Sequence, residues 1–238
     1  MNSQEQTIQP VTTPRPYGEI PRLWLWLPVM TESFFSQEVS RASAANTFFG
    51  ILIYAVLAAF LSVVQSVLGG VINYFGGSAA AHTTALLSAV GVTTVFLCCF
   101  ILFLGPASFY LNSGIMYVSA LIFGGRGKFT SQAYLTSLFF VPLALISSVL
   151  GMVSVIPQVG LYGLSAVLLA IGFFHIVFMT RVLKVVHGFS TGRAVAAVLA
   201  PLVLLLIPIC LIALLALMGP AIGNVFSTIN ASLGTPAP

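Results

Sequence analysis

The distribution of charged residues constrains this chain more than any other feature of its sequence. Every Asp and Glu lies before position 39, and the connections at 73–85, 156–162 and 219–238 carry no formal charge. The eight basic residues form three clusters, which are Arg15, Arg22 and Arg41, then Arg126 and Lys128, then Arg181, Lys184 and Arg193. Positive residues near span ends favour the cytoplasmic side. The alternation of basic and uncharged connections along the chain therefore indicates the number of membrane crossings. It predicts five spans, with the N-terminus inside and the C-terminus outside.

The composition supports the same conclusion independently. Hydrophobic residues make up 59% of the 238 residues and charged residues only 5%, whereas a soluble domain has about 25% charged residues. We therefore predict an all-α fold, a polytopic membrane helix bundle. The formal charge of +4 matches anionic lipid headgroups. We expect no nucleic-acid partner, because that would need a basic surface outside the bilayer.

Five apolar stretches define the predicted transmembrane helices. They cover 47–72, 86–123, 133–156, 161–181 and 193–218. A bilayer core of about 30 Å needs about 20 helical residues, so four of the stretches are single spans. The second is long enough for two crossings, but two would put Arg126 and Lys128 on the side opposite Arg41. We predict one long crossing, bent near Pro106, because proline removes a backbone hydrogen bond.

The residues before the first span predict two segments. Residues 1–21 are polar and rich in proline, which is typical of a disordered cytoplasmic tail. Residues 22–46 predict a short interfacial amphipathic helix and a linker, with Thr31 as the helix N-cap. Trp24 and Trp26 are expected at headgroup depth, which indole rings prefer. A plain tether to the first span is the alternative.

The strongest packing signal lies in the first span of the membrane domain, which we assign to 47–218 and which is followed by an uncharged C-terminal tail at 219–238. Small side chains that recur every four residues let a neighbouring helix approach closely inside lipid. The small residues are Ala58, Ser62, Ser66 and Gly70. They predict a helix contact, either within the chain or with a second protomer.

Few side chains carry the chemistry of an active site. No carboxylate follows residue 38, no HExxH zinc motif occurs, and the three cysteines lack the spacing of metal ligands. His175 in the fourth span and Gln65 in the first are explained by hydrogen bonds to neighbouring helices, and a transport role for His175 is the alternative. We expect no catalytic residues, no metal and no cofactor.

Two turns carry short motifs that resemble a known family. The first reads GGRGKFT at 124–130, with AY at 133–134 and a later proline, and the second reads VVHGFSTGRA at 185–194. Together they resemble the Yip family of Ypt/Rab-interacting membrane proteins, over about 30–215, and this chain is most similar to the short bacterial members. The motif residues are Gly124, Tyr134, Pro142, His187, Gly188, Ser190 and Ala194. The resemblance implies the same five-span fold with the N-terminus inside.

The resemblance implies only part of the function that is known for the family. Eukaryotic members carry an Asp-Leu-Tyr-Gly-Pro type signature and acidic determinants linked to Rab GTPases, and the arm of this chain has no Asp and no such signature. Binding of a Rab-type GTPase is therefore not carried over. The resemblance implies a non-enzymatic membrane organiser or adaptor whose partners are lipids, other membrane proteins or a second copy of the chain. It would lie in the cytoplasmic membrane of a bacterium or in the ER or Golgi of a eukaryote. A small transporter or channel for a neutral or anionic solute is the alternative.

The basic turns are candidates for binding lipid headgroups. Short turns join neighbouring helices, so we expect five basic side chains to converge on one membrane face, where each contributes about 1 kcal/mol near an anionic surface. The five are Arg126, Lys128, Arg181, Lys184 and Arg193. The alternative is that these charges only set the topology.

Reporter fusions test the predicted topology. Fusions after residues 45, 78, 127, 158, 188 and 230 should alternate between inside and outside, starting inside, because the basic clusters stay cytoplasmic. Reporter activity on each side of the membrane is the measurement. Opposite sides for the fusions at 45 and 127 would contradict the five-span model.

Overall fold

A computed structural model describes residues 13–27, 30–76, 92–152 and 157–234 of the chain. These ranges contain seven α-helices and, within them, no β-strand. The helices are α1 (Ile20–Trp24), α2 (Glu32–Glu38), α3 (Ala44–Gly76), α4 (Val92–Ile122), α5 (Phe129–Gly151), α6 (Pro157–His187) and α7 (Thr191–Leu233). The predicted all-α helix bundle is therefore confirmed.

Each of the five long helices is long and apolar enough to cross a membrane. The segments that qualify are Ala44–Gly69, Ile101–Ile122, Phe129–Gly151, Gly163–His187 and Thr191–Ala231. Large apolar side chains such as Phe60, Phe103 and Leu169 are exposed on these helices. A bilayer accepts such side chains because its core is equally apolar, and the helices satisfy their own backbone groups. The chain is a multi-pass integral membrane protein, as the sequence predicts.

Helix α4 distinguishes the two interpretations of the stretch at 86–123. It is one helix from Val92 to Ile122 and includes Pro106. Two crossings are therefore wrong for this range, whereas residues 86–91 lie outside the described residues. A transmembrane helix tolerates a proline because neighbouring groups can satisfy the freed carbonyl.

Helix α5 is the most buried of the long helices. Its side chains from Gln132 to Phe139 are all buried, and it packs against both α3 and α6. Leu138 joins Leu183 of α6 in one apolar cluster, and Val141 joins Ile51 of α3 in another. These two clusters hold the first compact unit, which extends to Val198.

Two of the four small residues predicted to form a helix contact, Ala58 and Ser62 of α3, face other helices of the same chain. A Cβ atom on Gly105 of α4 would lie 3.8 Å from the Ala55 Cβ atom, so the two helices approach closely there. Ala58 is buried and, with Ser62, lines a cavity shared with α4 and α5. The surroundings of Gly70 lie outside the described side chains.

Helix α7 is longer than its predicted span at 193–218. Its first residues belong to the first unit, where the Ser119 hydroxyl donates to the Ala197 carbonyl at 2.6 Å, and Leu199–Pro238 forms a second unit. The helix continues through Pro220 to Leu233, in the segment that we assigned to an uncharged tail. The reason is visible in the sequence, because Ile222, Val225, Phe226 and Ile229 recur at helical spacing.

Candidate functional site

The N-terminal arm, which we define as residues 13–27 and 30–46, packs against the bundle. Ile20, Leu23, Met30 and Phe35 are buried, and the Phe35 ring meets the edge of Phe139 with centroids 6.5 Å apart. The structure thus differs from the disordered tail expected at 1–21, since residues 13–21 include a 3₁₀ helix at Tyr17–Glu19 and the buried Ile20; residues 1–12 lie outside the described residues. The apolar face of α2 is bound to protein rather than to headgroups.

The side chains expected at the membrane interface separate into two groups. Trp24 is half-buried and packs against the cluster around Ile51, whereas Trp26 is 59% exposed and Leu25 is 82% exposed. Thr31 directly precedes α2 as predicted, but its hydroxyl pairs with the Ser33 hydroxyl at 2.7 Å and makes no capping bond. Of the two indoles, Trp26 is therefore the one available to lipid.

A buried carboxylate, Glu38, fixes the end of α2. Arg15 donates from Nε to Glu38 Oε2 at 2.9 Å and from Nη2 to Oε1. The Tyr134 hydroxyl of α5 donates to Oε2 at 3.2 Å, and Arg41 Nη1 lies 3.7 Å from Oε1. A second carboxylate, that of Glu19, accepts from Arg15 Nη1 at 2.9 Å. The arm and α5 therefore share one polar network.

This network meets the electrostatic requirement of its position. The Glu38 side chain is 3% exposed, and a buried carboxylate is unfavourable unless it is paired with charge and hydrogen-bonded. The hydrogen bonds and charge of Glu38 raise the pKa of Arg15 above its ordinary value, so Arg15 stays charged at physiological pH. Its carbonyl also accepts from Asn46 Nδ2 at 3.1 Å, which fixes the arm to the start of α3.

Two of the five predicted headgroup ligands are occupied by the arm. Lys184 Nζ lies 2.6 Å from Glu32 Oε1, and Arg181 Nη1 donates to the Met30 carbonyl at 2.7 Å. The Arg181 guanidinium also lies over the Phe178 ring, 5.6 Å from its centroid. These contacts give Arg181 and Lys184 a role in holding the arm that the charge pattern does not reveal.

The other three predicted headgroup ligands remain exposed. They are Arg126, Lys128 and Arg193. Arg126 and Lys128 stand on the turn at 123–128, and Arg193 stands on the first turn of α7. His187, which directly precedes the turn at 188–190, contacts the first turn at Gly127. Of the five basic groups predicted to bind headgroups, three are therefore exposed in the structure.

His187 joins the two turns that carry the family-like motifs. Its Nδ1 accepts the Gly127 N–H at 3.1 Å, so the proton lies on Nε2, which donates to Gln132 Oε1 at 2.9 Å. The Gln132 amide donates in turn to the Ser113 carbonyl at 3.1 Å, and the Tyr117 hydroxyl donates to the Gly127 carbonyl at 3.2 Å. Only a neutral imidazole can make both of its bonds here, so this histidine is a structural connector.

Glycines make the close approach of these turns possible. A Cβ atom on Gly125 would lie 2.4 Å from His187 Nδ1, and one on Gly127 would lie 2.5 Å from the Val186 carbonyl oxygen. Gly124 lies two residues after the end of α4 and has φ of +86°, and its N–H and that of Gly125 bond to the Leu121 and Ala120 carbonyls. This is the Schellman arrangement of a helix C-terminus, which favours glycine.

The remaining motif residues have structural positions. Tyr134, Pro142 and Ala194 are buried, Gly188 has φ of +67° after the last residue of α6, and the Ser190 carbonyl accepts the Ala194 N–H at the start of α7. The motif residues are packing, turn and capping positions.

Gln65 and His175, the two span residues considered above for an interhelical or transport role, lie apart from these networks. Gln65 Nε2 donates to the Gly151 carbonyl of α5 at 3.2 Å, as the expected interhelical bond. The His175 ring meets the edges of Phe139 and Phe140, with centroids 5.3 Å and 6.3 Å apart, and it has no hydrogen bond in the part of the chain described. The described residues also contain no cluster of three His, Cys, Asp or Glu that could hold a metal ion.

Sequence reasoning missed Arg15, Glu38 and Gln132 as members of these networks. The available signal was weak. Glu38 is the last acid of the chain and is followed three residues later by Arg41, which also reads as an exposed helical ion pair.

Comparisons with protein-family models, curated proteins and solved structures find no match to this chain. The resemblance to the Yip family therefore depends on the residues of two turns and stays a prediction. What the structure adds is that the two turns contact each other.

The Arg15–Glu38 pair predicts a large and specific loss of stability. Arg15→Gln should lower the free energy of unfolding by about 3 kcal/mol, because it leaves a buried carboxylate with an incomplete set of partners. Thermal unfolding in detergent measures the effect. Arg22→Gln is the matched control, because Arg22 is exposed, and it should change stability by less than about 0.5 kcal/mol. Equal effects of the two substitutions would contradict the network.

The turn contact predicts a second difference between variants. Gly127→Ala should destabilise the protein by about 2 kcal/mol, because its Cβ atom overlaps the Val186 carbonyl. Gly114→Ala in α4 meets no atom within 4 Å and should be neutral or stabilising by about 0.5 kcal/mol. The same melting experiment compares the two, and a neutral Gly127→Ala would show that the turns are not in contact.

Proposed function

We propose that this integral membrane protein is a non-enzymatic organiser or adaptor of the Yip type, which acts through contacts with lipids and other membrane proteins. The observation that carries the proposal is that the buried ionisable groups at the arm end are all hydrogen-bonded to other groups of the protein. Glu38 is held by Arg15 and Tyr134, and both nitrogens of His187 are bonded. Groups used in this way support a structural role rather than acid–base chemistry.

The exposed groups of the same end support contact with a membrane surface. Trp26 and Leu25 offer apolar area next to the exposed Arg22, and such a combination suits the boundary between headgroups and acyl chains. Arg126, Lys128 and Arg193 add positive charge without a protein partner among the described residues. Together they favour an anionic lipid surface.

The triple variant Arg126→Gln/Lys128→Gln/Arg193→Gln tests the lipid contact. In nanodiscs that contain phosphatidylglycerol and phosphatidylcholine, native mass spectrometry should find the anionic lipid enriched on the unmutated protein. The variant should lose a preference of up to about hundredfold, because three basic groups contribute about 3 kcal/mol. Lys184→Gln is the control, since Glu32 already occupies that ammonium group. Equal binding of both lipids to the unmutated protein would contradict the proposal.

A small transporter or channel is the second candidate, and the cavity between α3, α4 and α5 favours it. Its lining residues are uncharged, so a neutral solute suits it better than an anion. Solute flux in proteoliposomes would support transport. A membrane protein that co-purifies at a reproducible ratio, without flux, would support the adaptor.

A further inference from the structure

We infer that the bundle binds an uncharged glyceride, a lipid with a hydroxyl- and ester-bearing head, between α3, α4 and α5. The site is a cavity of about 350 Å³. Its polar lining consists of Tyr54, Ser62, Gln65, Ser147 and Ser148. This inference goes beyond the organiser role and does not depend on it.

The absence of charge restricts the class of ligand. The lining residues fall within 54–65, 147–151 and position 101, and the sequence has no Lys, Arg, Asp or Glu between Arg41 and Arg126 or between Lys128 and Arg181. A phosphate, a carboxylate or an ammonium group would therefore find no opposite charge at this depth, where an unpaired charge is strongly unfavourable. The ligand must be neutral.

The hydroxyl groups of the lining indicate what the ligand offers. Ser62 and Ser148 donate to carbonyls of their own helices at 2.7 Å and 2.9 Å. Tyr54 and Ser147 have no hydrogen-bond partner among the residues that the structure describes, although both line the cavity. A hydroxyl without a partner is unfavourable in hydrocarbon, so these two groups are donors suited to the oxygens of a glycerol ester.

An apolar groove continues from the cavity along α4. It has a volume of about 480 Å³ and shares Tyr54 and Ile101 with the cavity. The rest of its lining includes Leu104, Ala107 and Leu111. A cavity that contains hydroxyl and amide groups, next to an apolar groove, matches a molecule with a small polar head and an acyl chain. Both lie within the membrane-spanning segments, so the ligand would enter from the bilayer.

Photolabelling of the full chain tests the site. The probe is a monoacylglycerol with a diazirine on its acyl chain, in phosphatidylcholine vesicles. Labelling should be saturable, should fall on peptides that contain 54–65, 101–111 or 144–151, and should be competed by unlabelled monoacylglycerol but not by the fatty-acid anion. Tyr54→Phe and Ser147→Ala should each weaken apparent affinity about fivefold, which is the effect of one hydrogen bond.

Matched controls separate the site from general lipid contact. Tyr110→Phe and Ser66→Ala remove hydroxyls outside the cavity lining and should leave the affinity unchanged. Thermal unfolding checks that each variant is folded, and Ser147→Ala provides a second test if Tyr54→Phe is not. Labelling that does not saturate, or equal effects of site and control variants, would overturn the inference and leave annular lipid only. Failure here leaves the anionic-lipid preference of the basic turns unaffected, so the two proposals fail separately.

Discussion

A single buried carboxylate organises the arm end of this protein. Glu38 lies at the end of α2 with almost no contact with solvent, so it must be neutralised by protein groups. The groups come from three parts of the chain, because Arg15 precedes α1, Arg41 follows α2 and Tyr134 belongs to α5. The groups that neutralise Glu38 therefore join the arm to α5. The apolar contact of Phe35 with Phe139 adds to this attachment.

A second set of bonds determines how α4, α5 and α6 end relative to one another. His187 at the end of α6 reaches Gly127 in the turn before α5 and Gln132 within it, and Gln132 reaches Ser113 of α4. Inside a membrane the hydrophobic effect does not draw helices together, so close packing and interhelical hydrogen bonds decide their register. Gly125 and Gly127 permit the close contact between the turn and the end of α6, and the hydrogen bonds of the His187 imidazole fix the relative position of the two.

The sequence predicts those features of the fold that depend on local properties, such as the hydrophobicity and charge of neighbouring residues. Span number follows from hydrophobic length and the placement of basic residues, and both are local properties, so α3 to α6 were predictable within several residues. The Glu38–Tyr134 bond joins positions 96 apart, and no local pattern encodes it. For the same reason, the sequence places Lys184 and Arg181 near the membrane face but does not predict the ion pair of Lys184 with Glu32 or the hydrogen bond of Arg181 to the Met30 carbonyl. Helix α7 also extends to Leu233, into the segment that we assigned to an uncharged tail, and the helical spacing of the apolar residues there indicates this extension in the sequence.

The long sequence separations in the arm contacts impose an order on biosynthesis. Glu32 leaves the ribosome 152 residues before Lys184, and Glu38 leaves 96 residues before Tyr134. At a translation rate of about 5–20 residues per second, the residues that pair with these acidic groups are synthesised roughly 5–30 s later. During that interval Arg15 and Arg41 are the partners within reach of Glu38. The arm can therefore reach its final position only after the third and fourth spans have entered the bilayer.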